Sequence, residues 1–74
     1  MDNYEANLRG HIELKKNAID VNMEALHDEL FRKAHPDMAY VKERVSNLER
    51  LWRELKSKEW YLDAYLADKE FWKL

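Results

Sequence analysis

The sequence predicts an all-α fold, a coiled-coil-like two-helix antiparallel hairpin completed by self-association into a helical bundle. Three observations carry this expectation. Val41, Val45, Leu48, Trp52, Leu55, Leu62 and Leu66 recur at alternating four- and three-residue steps, interrupted only at Glu59; a seven-residue apolar repeat is the seam of one helix packed on another. One Gly, one Pro and abundant Leu, Ala, Glu, Lys and Arg leave almost nothing from which to build strands. The single proline, Pro36, lies between two long helical patterns, where it disfavours helix in the residue before it and suits the first position of a new one. Residues 1–74 thus form one domain, with helix 1 over about 3–33, a turn at 34–36 and helix 2 over about 37–73.

Helix 1 opens at Asp2, whose spacing from Glu5 is that of an N-cap with a residue reaching back from the third helical position. Two apolar stripes run along it. Leu8, Ile12, Ile19, Met23, Leu26 and Leu30 form the first; Tyr4, Leu14, Ala18, Val21 and Ala25 form the second, on another face. A helix apolar on two faces touches more than one neighbour. Gly10 costs about 1 kcal/mol relative to Ala in a helix interior, and local fraying or close packing is its plainest explanation. Arg32 and Lys33 close the helix with charge that suits its negative end, and Asp37 does the converse in the first turn of helix 2.

So short a connection makes the helices antiparallel neighbours. Folding at His35 brings Leu30 near Val41, Leu26 near Val45, Met23 near Leu48, Ile19 near Trp52 and Leu8 near Leu62. With Ile12, Leu55 and Leu66 these residues are the expected hairpin core. The same register predicts a Lys16–Glu59 pair, or Lys15–Glu59, over the defect in each seam.

After Trp60 the apolar residues cover too many faces for one partner helix. Trp60, Ala64, Ala67 and Phe71 make one stripe and Tyr61, Tyr65 and Trp72 another, while Leu62 and Leu66 continue the seam. Large exposed apolar patches are unusual on monomers, and Trp and Tyr are typical of interface hot spots. Trp60, Tyr61, Ala64, Tyr65, Phe71 and Trp72, in a tail running to Leu74, are therefore the expected oligomer interface and partner-binding set.

Seventy-four residues without cysteine exclude a disulfide framework and thiolate metal sites. Chains this short usually need another staple, and association is the one left. Ser46 and Ser57 are the only hydroxyl nucleophiles besides tyrosine, with no nucleophile elbow around either, and one Gly cannot make a phosphate loop. Glu24 and His27 have the Glu-x-x-His spacing of di-iron bundles but lie off the main seam, and His35, beside the turn, reads as a capping or solvent-exposed residue. The expectation is no enzyme, no metal and no cofactor. A formal net charge of −2 gives no global attraction for nucleic acid. Within helix 2, Lys42, Arg44, Arg50, Arg53, Lys56 and Lys58 are interleaved with Glu43, Glu49, Glu54 and Glu59, a salt-bridged solvent face in which Glu49–Arg53 and Glu54–Lys58 have favourable spacing. Asp63, Asp68 and Glu70 argue against a membrane surface. No apolar run has the length of a span, and Met1-Asp2-Asn3-Tyr4-Glu5 lacks the features of a signal peptide. His27-Asp28-Glu29-Leu30 spells an ER-retention signal, which is read only at a C-terminus. A cytoplasmic protein is expected.

From His27 to Leu55 the chain resembles the second and third helices of a spectrin repeat. The likeness lies in the inter-helix His35-Pro36-Asp37, the apolar-x-x-Arg spacing of Val41 and Arg44, and Leu48, Leu51-Trp52 and Leu55. The family's preceding helix with its own core Trp has no counterpart here. The resemblance implies an interaction or scaffolding protein without catalysis, a two-helix partial repeat completed in trans. The functional expectation is a non-enzymatic protein–protein interaction and assembly module. Its partner is itself, as a homodimer or higher oligomer, and then another protein. The alternative is a small oligomeric regulator or inhibitor, of the kind compact viral or bacterial genomes encode, that blocks a partner protein or sequesters a small ligand. It would carry a polar-aromatic pocket between subunits around Tyr61, Tyr65 and Trp72.

Overall fold

The structure, a computed structural model, describes residues 2–73. They form two helices, α1 (Asn3–Phe31) and α2 (Met38–Lys73). Leu74, the last residue of the expected aromatic tail, lies outside the described residues. The helices are antiparallel: Tyr4 at the start of α1 stacks on Tyr65 near the end of α2, and Asn22 bonds Arg44.

Both helix starts follow from side-chain chemistry. Asp2 is extended and its Oδ1 accepts the Glu5 amide at 2.8 Å, satisfying one of the orphan donors of the first turn. Glu5 does not complete a reciprocal box. Its carboxylate goes instead to Arg9 Nε at 3.1 Å and Lys69 Nζ at 3.8 Å. Asp37 caps α2, with Oδ1 accepting from Ala39 at 3.0 Å and Tyr40 at 3.3 Å. The connection is therefore Arg32–Asp37, wider than the expected turn at 34–36. Pro36 holds His35 out of the helix, and a capping Asp37 stands outside the helix it starts. α1 ends at Arg32, whose amide reaches the Asp28 carbonyl at 3.0 Å.

The seam differs in phase from the expected one. Leu8, Ile12, Ile19, Leu51, Leu55 and Leu62 form the buried cluster, with Ala18, Leu48 and Leu66 packed against it. Val41 is buried near the turn. On α2 the positions facing α1 are Val41, Arg44, Leu48, Leu51, Leu55, Lys58, Leu62 and Tyr65, all buried or half-buried. The expected row shares every seventh residue with this one, but its alternate members, Val45, Trp52 and Glu59, sit one residue too far along. Val45 and Trp52 are exposed, Trp52 to 50%. On α1 the same alternation runs through Glu5, Leu8, Ile12, Lys15, Ile19, Asn22, Leu26 and Glu29, and Met23 and Leu30 are exposed on its flank. Leu26 is half-buried. The physical reason is that long polar side chains lie along an apolar seam with their heads turned out, so Arg44, Lys15 and Lys58 occupy positions that a hydrophobic pattern assigns to solvent.

Polar contacts then punctuate the seam. Arg44 Nη1 donates to Asn22 Oδ1 at 2.9 Å, and Lys15 Nζ pairs with Glu54. This pair crosses the middle of the hairpin in place of the expected one; Lys16 and Glu59 border one cleft without pairing among the described residues. Glu29, only 4% exposed, is held by Lys33 of the connection at 3.0 Å.

Two helices enclose little. No side chain among the described residues is fully enclosed. The molecule measures 60 × 17 × 14 Å and its radius of gyration is 17.1 Å, against about 11 Å for a compact domain of this length. Its accessible surface is 5937 Å2, against about 4,900 Å2 for a compact monomer of this mass.

Candidate interaction surface

Two surfaces stand out, one at each end of the hairpin. At the open end Tyr65 Oη donates to Asp2 Oδ2, and Lys69 Nζ reaches the same oxygen at 3.0 Å. The hydrogen bond from Tyr65, then that from the Glu5 amide and then Lys69 hold the Asp2 carboxyl well below the usual carboxylate range. The same contact with Asp2 raises both the Tyr65 phenol and the Lys69 ammonium. Tyr4 packs on Tyr65 with ring centroids 4.6 Å apart. Tyr65 is thus engaged within the chain, as a clasp joining the first residues of α1 to the last turns of α2.

The other members of the expected interface are exposed but do not converge. At about 100° per residue, Trp60, Ala64 and Phe71 fall on one side of α2, and Tyr61 and Trp72 fall with Tyr65 on another. Trp60 and Tyr61, and Phe71 and Trp72, are edge-to-face neighbours at 5.2 and 5.6 Å. Trp72, 76% exposed, donates its indole N–H to Asp68 at 3.2 Å. Around Tyr61 a shallow cleft is bordered by Tyr4, Asn7, His11 and Lys58; Trp72 does not border it.

At the turn end the apolar residues do converge. Met23, Leu26, His27, Leu30 and Phe31 of α1 border a groove of about 320 Å3, completed by Leu48 and Trp52 of α2. It runs on over Val45 beside Leu48 and Trp52. Four residues expected in the hairpin core, Met23, Leu30, Val45 and Trp52, are therefore the walls of this groove. The cause is the phase of the seam: a position one residue beyond a seam position lies on the flank, and on both helices this is the same flank. Phe31 is 73% exposed and stacks on His27 at 4.8 Å, while Lys56 Nζ sits 5.3 Å from the centre of the Trp52 ring. Beyond Trp52 the flank becomes charged, with Arg9, Glu13, Lys16, Glu59 and Asp63 around Ile12 and Leu62.

Among the described residues no three His, Asp or Glu side chains come together as a metal site would require. Of the basic residues in α2, Arg44 lies in the seam, Lys56 covers Trp52, Arg50 approaches Glu54 at 4.0 Å and Arg53 Nε bonds the Glu49 carbonyl at 3.5 Å. Glu54, the partner expected for Lys58, is taken by Lys15, which holds its carboxyl below the ordinary range. No helix among the described residues is long and apolar enough to cross a membrane. The groove was not foreseen as a surface. Its one sequence signal was Leu51-Trp52, adjacent large residues of which a two-helix seam admits only one.

Comparison with protein-family models, with curated proteins and with solved structures returns no match. The resemblance to a spectrin repeat rests on its own residues.

Proposed function

We propose that this protein is a non-enzymatic assembly module whose first partner is itself. The observation that carries the reading is the mismatch between surface and core. The hairpin exposes about 1,000 Å2 more than a compact chain of its mass, while Trp52, Trp60, Phe31, Phe71 and Trp72 all stand at least half in water. One interface of standard size removes about 800 Å2 from each partner, close to that excess. Association supplies the burial that two helices lack.

Sedimentation equilibrium at micromolar to submillimolar concentration tests this. A mass of twice 9.0 kDa or more is expected. A folded species that stays at 9.0 kDa throughout overturns the reading.

A further inference from the structure

We infer that the turn-end groove is the seat of a second copy of this chain, laid antiparallel on a two-fold axis so that Phe31 of each copy covers Trp52 of the other. The inference rests on the self-association proposed above and specifies its surface, stoichiometry and direction.

A second copy fits for three reasons. The excess surface matches one interface of standard size, so a single additional contact of this kind returns the chain to ordinary compactness. A two-fold contact requires a patch that complements itself, and the groove has a large projecting ring at each end, with Leu26 and Leu48 between them. In the register set by the Asn22–Arg44 and Lys15–Glu54 contacts, Trp52 lies level with about residue 16 of α1, so Met23 is roughly midway along the hairpin between Trp52 and Phe31. Rotation about an axis near Met23 therefore exchanges the two rings.

Charge sets the offset. Beyond Trp52 the same flank carries Arg9, Glu13, Lys16, Glu59 and Asp63. Copies overlapping along their whole length in antiparallel would press Leu30 and Phe31 against that charged stretch. Parallel copies would bring the two charged stretches face to face. The first strips water from charges without supplying partners, and the second presses together two stretches that each carry two basic and three acidic residues. Overlap of the turn-end halves alone buries the apolar stretch and leaves the charged one in solvent. The product is a short four-helix bundle with two hairpin ends projecting in opposite directions.

Direction and offset are measurable because the chain has no cysteine. His35→Cys, at an exposed position of the connection, carries a spin label for pulsed electron–electron distance measurement. From the 1.5 Å rise per residue, turn-end overlap places the two labels about 35 Å apart. Full-length antiparallel overlap gives about 50 Å or more, and parallel stacking about 20 Å or less. A peak at about 35 Å supports the inference and any other overturns it. Trp52→Glu is expected to weaken association at least tenfold at unchanged helicity, and Trp72→Glu to leave it unchanged. Equal or greater weakening by Trp72→Glu overturns the inference in favour of the open end. A wild-type monomer defeats the underlying reading, whereas a dimer with the wrong label distance defeats only the choice of groove. The label distance decides even if Trp52→Glu unfolds.

Discussion

Leu51→Ala tests the phase of the seam. The Leu51 side chain is 7% exposed and sits among Leu8, Ile12, Ile19, Leu55 and Leu62. Burying a leucine contributes about 1.5–3 kcal/mol, and truncating one in a core costs about 2–5 kcal/mol once the cavity is included. The slot between two helices is open on both flanks, so neighbours and water relax into the space and the lower part of that range applies. A loss of about 2–3 kcal/mol is expected, half or more of the roughly 3–5 kcal/mol that a core of this size supplies. Urea unfolding followed by far-ultraviolet circular dichroism reads it. With a slope of about 1 kcal/mol per molar, the midpoint falls by about 2–3 M at unchanged slope. Variant and wild type are compared at one protein concentration, because the proposed association would add stability by mass action. A change within about 0.5 kcal/mol, the range of surface substitutions, would put residue 51 outside the seam and restore the phase through Val45 and Trp52.

Gly10→Ala is expected to raise stability by about 0.5–1 kcal/mol, since a Cβ at Gly10 meets nothing within 4 Å; a loss in the same urea assay would mean that the position is closely packed. Asp2→Asn keeps a capping side chain and removes the charge. The depressed Asp2 carboxyl contributes stability above its ordinary value of 3.8, and this is lost as pH falls below that value. The urea midpoint of the wild type should therefore drop more than that of Asp2→Asn between about pH 6 and about pH 2.5; equal drops refute the clasp. Replacing Asn22 and Arg44 together, as Asn22→Leu with Arg44→Met, removes a polar level whose Arg44 Nε is buried without a partner. Stability should rise by about 1 kcal/mol or more, and a fall in the urea midpoint would show the pair to be a net stabiliser.

Much of the fold was legible because its signals are local. Asp2 and Asp37 cap, Pro36 interrupts, and Val41, Leu48, Leu55 and Leu62 recur every seventh residue whichever phase is chosen. The phase itself was not legible. Both Val45-Trp52 and Arg44-Leu51 complete a heptad row with those four residues, and apolarity favours the first. The second is selected by pairing across the hairpin, Arg44 with Asn22 and Lys15 with Glu54, which depends on two stretches far apart in the chain. The same limit hid the groove. Trp52 reads as core in one helix taken alone, and its place on a flank emerges only when Met23 and Leu30 are found beside it on the other. The aromatic tail was visible as residues, but the engagement of Tyr65 by Asp2 is a long-range contact that no periodicity reports.

The capped break at Pro36 and Asp37 also restricts topology. Two straightened chains could trade arms, each α1 lying on the α2 of the other molecule and reproducing every seam contact between chains instead of within one. Such an exchanged pair needs the linker to continue as helix, which Pro36 resists and Asp37 forgoes by capping. Each molecule therefore closes on itself, and an assembly of the proposed kind would come apart and re-form without either hairpin being opened.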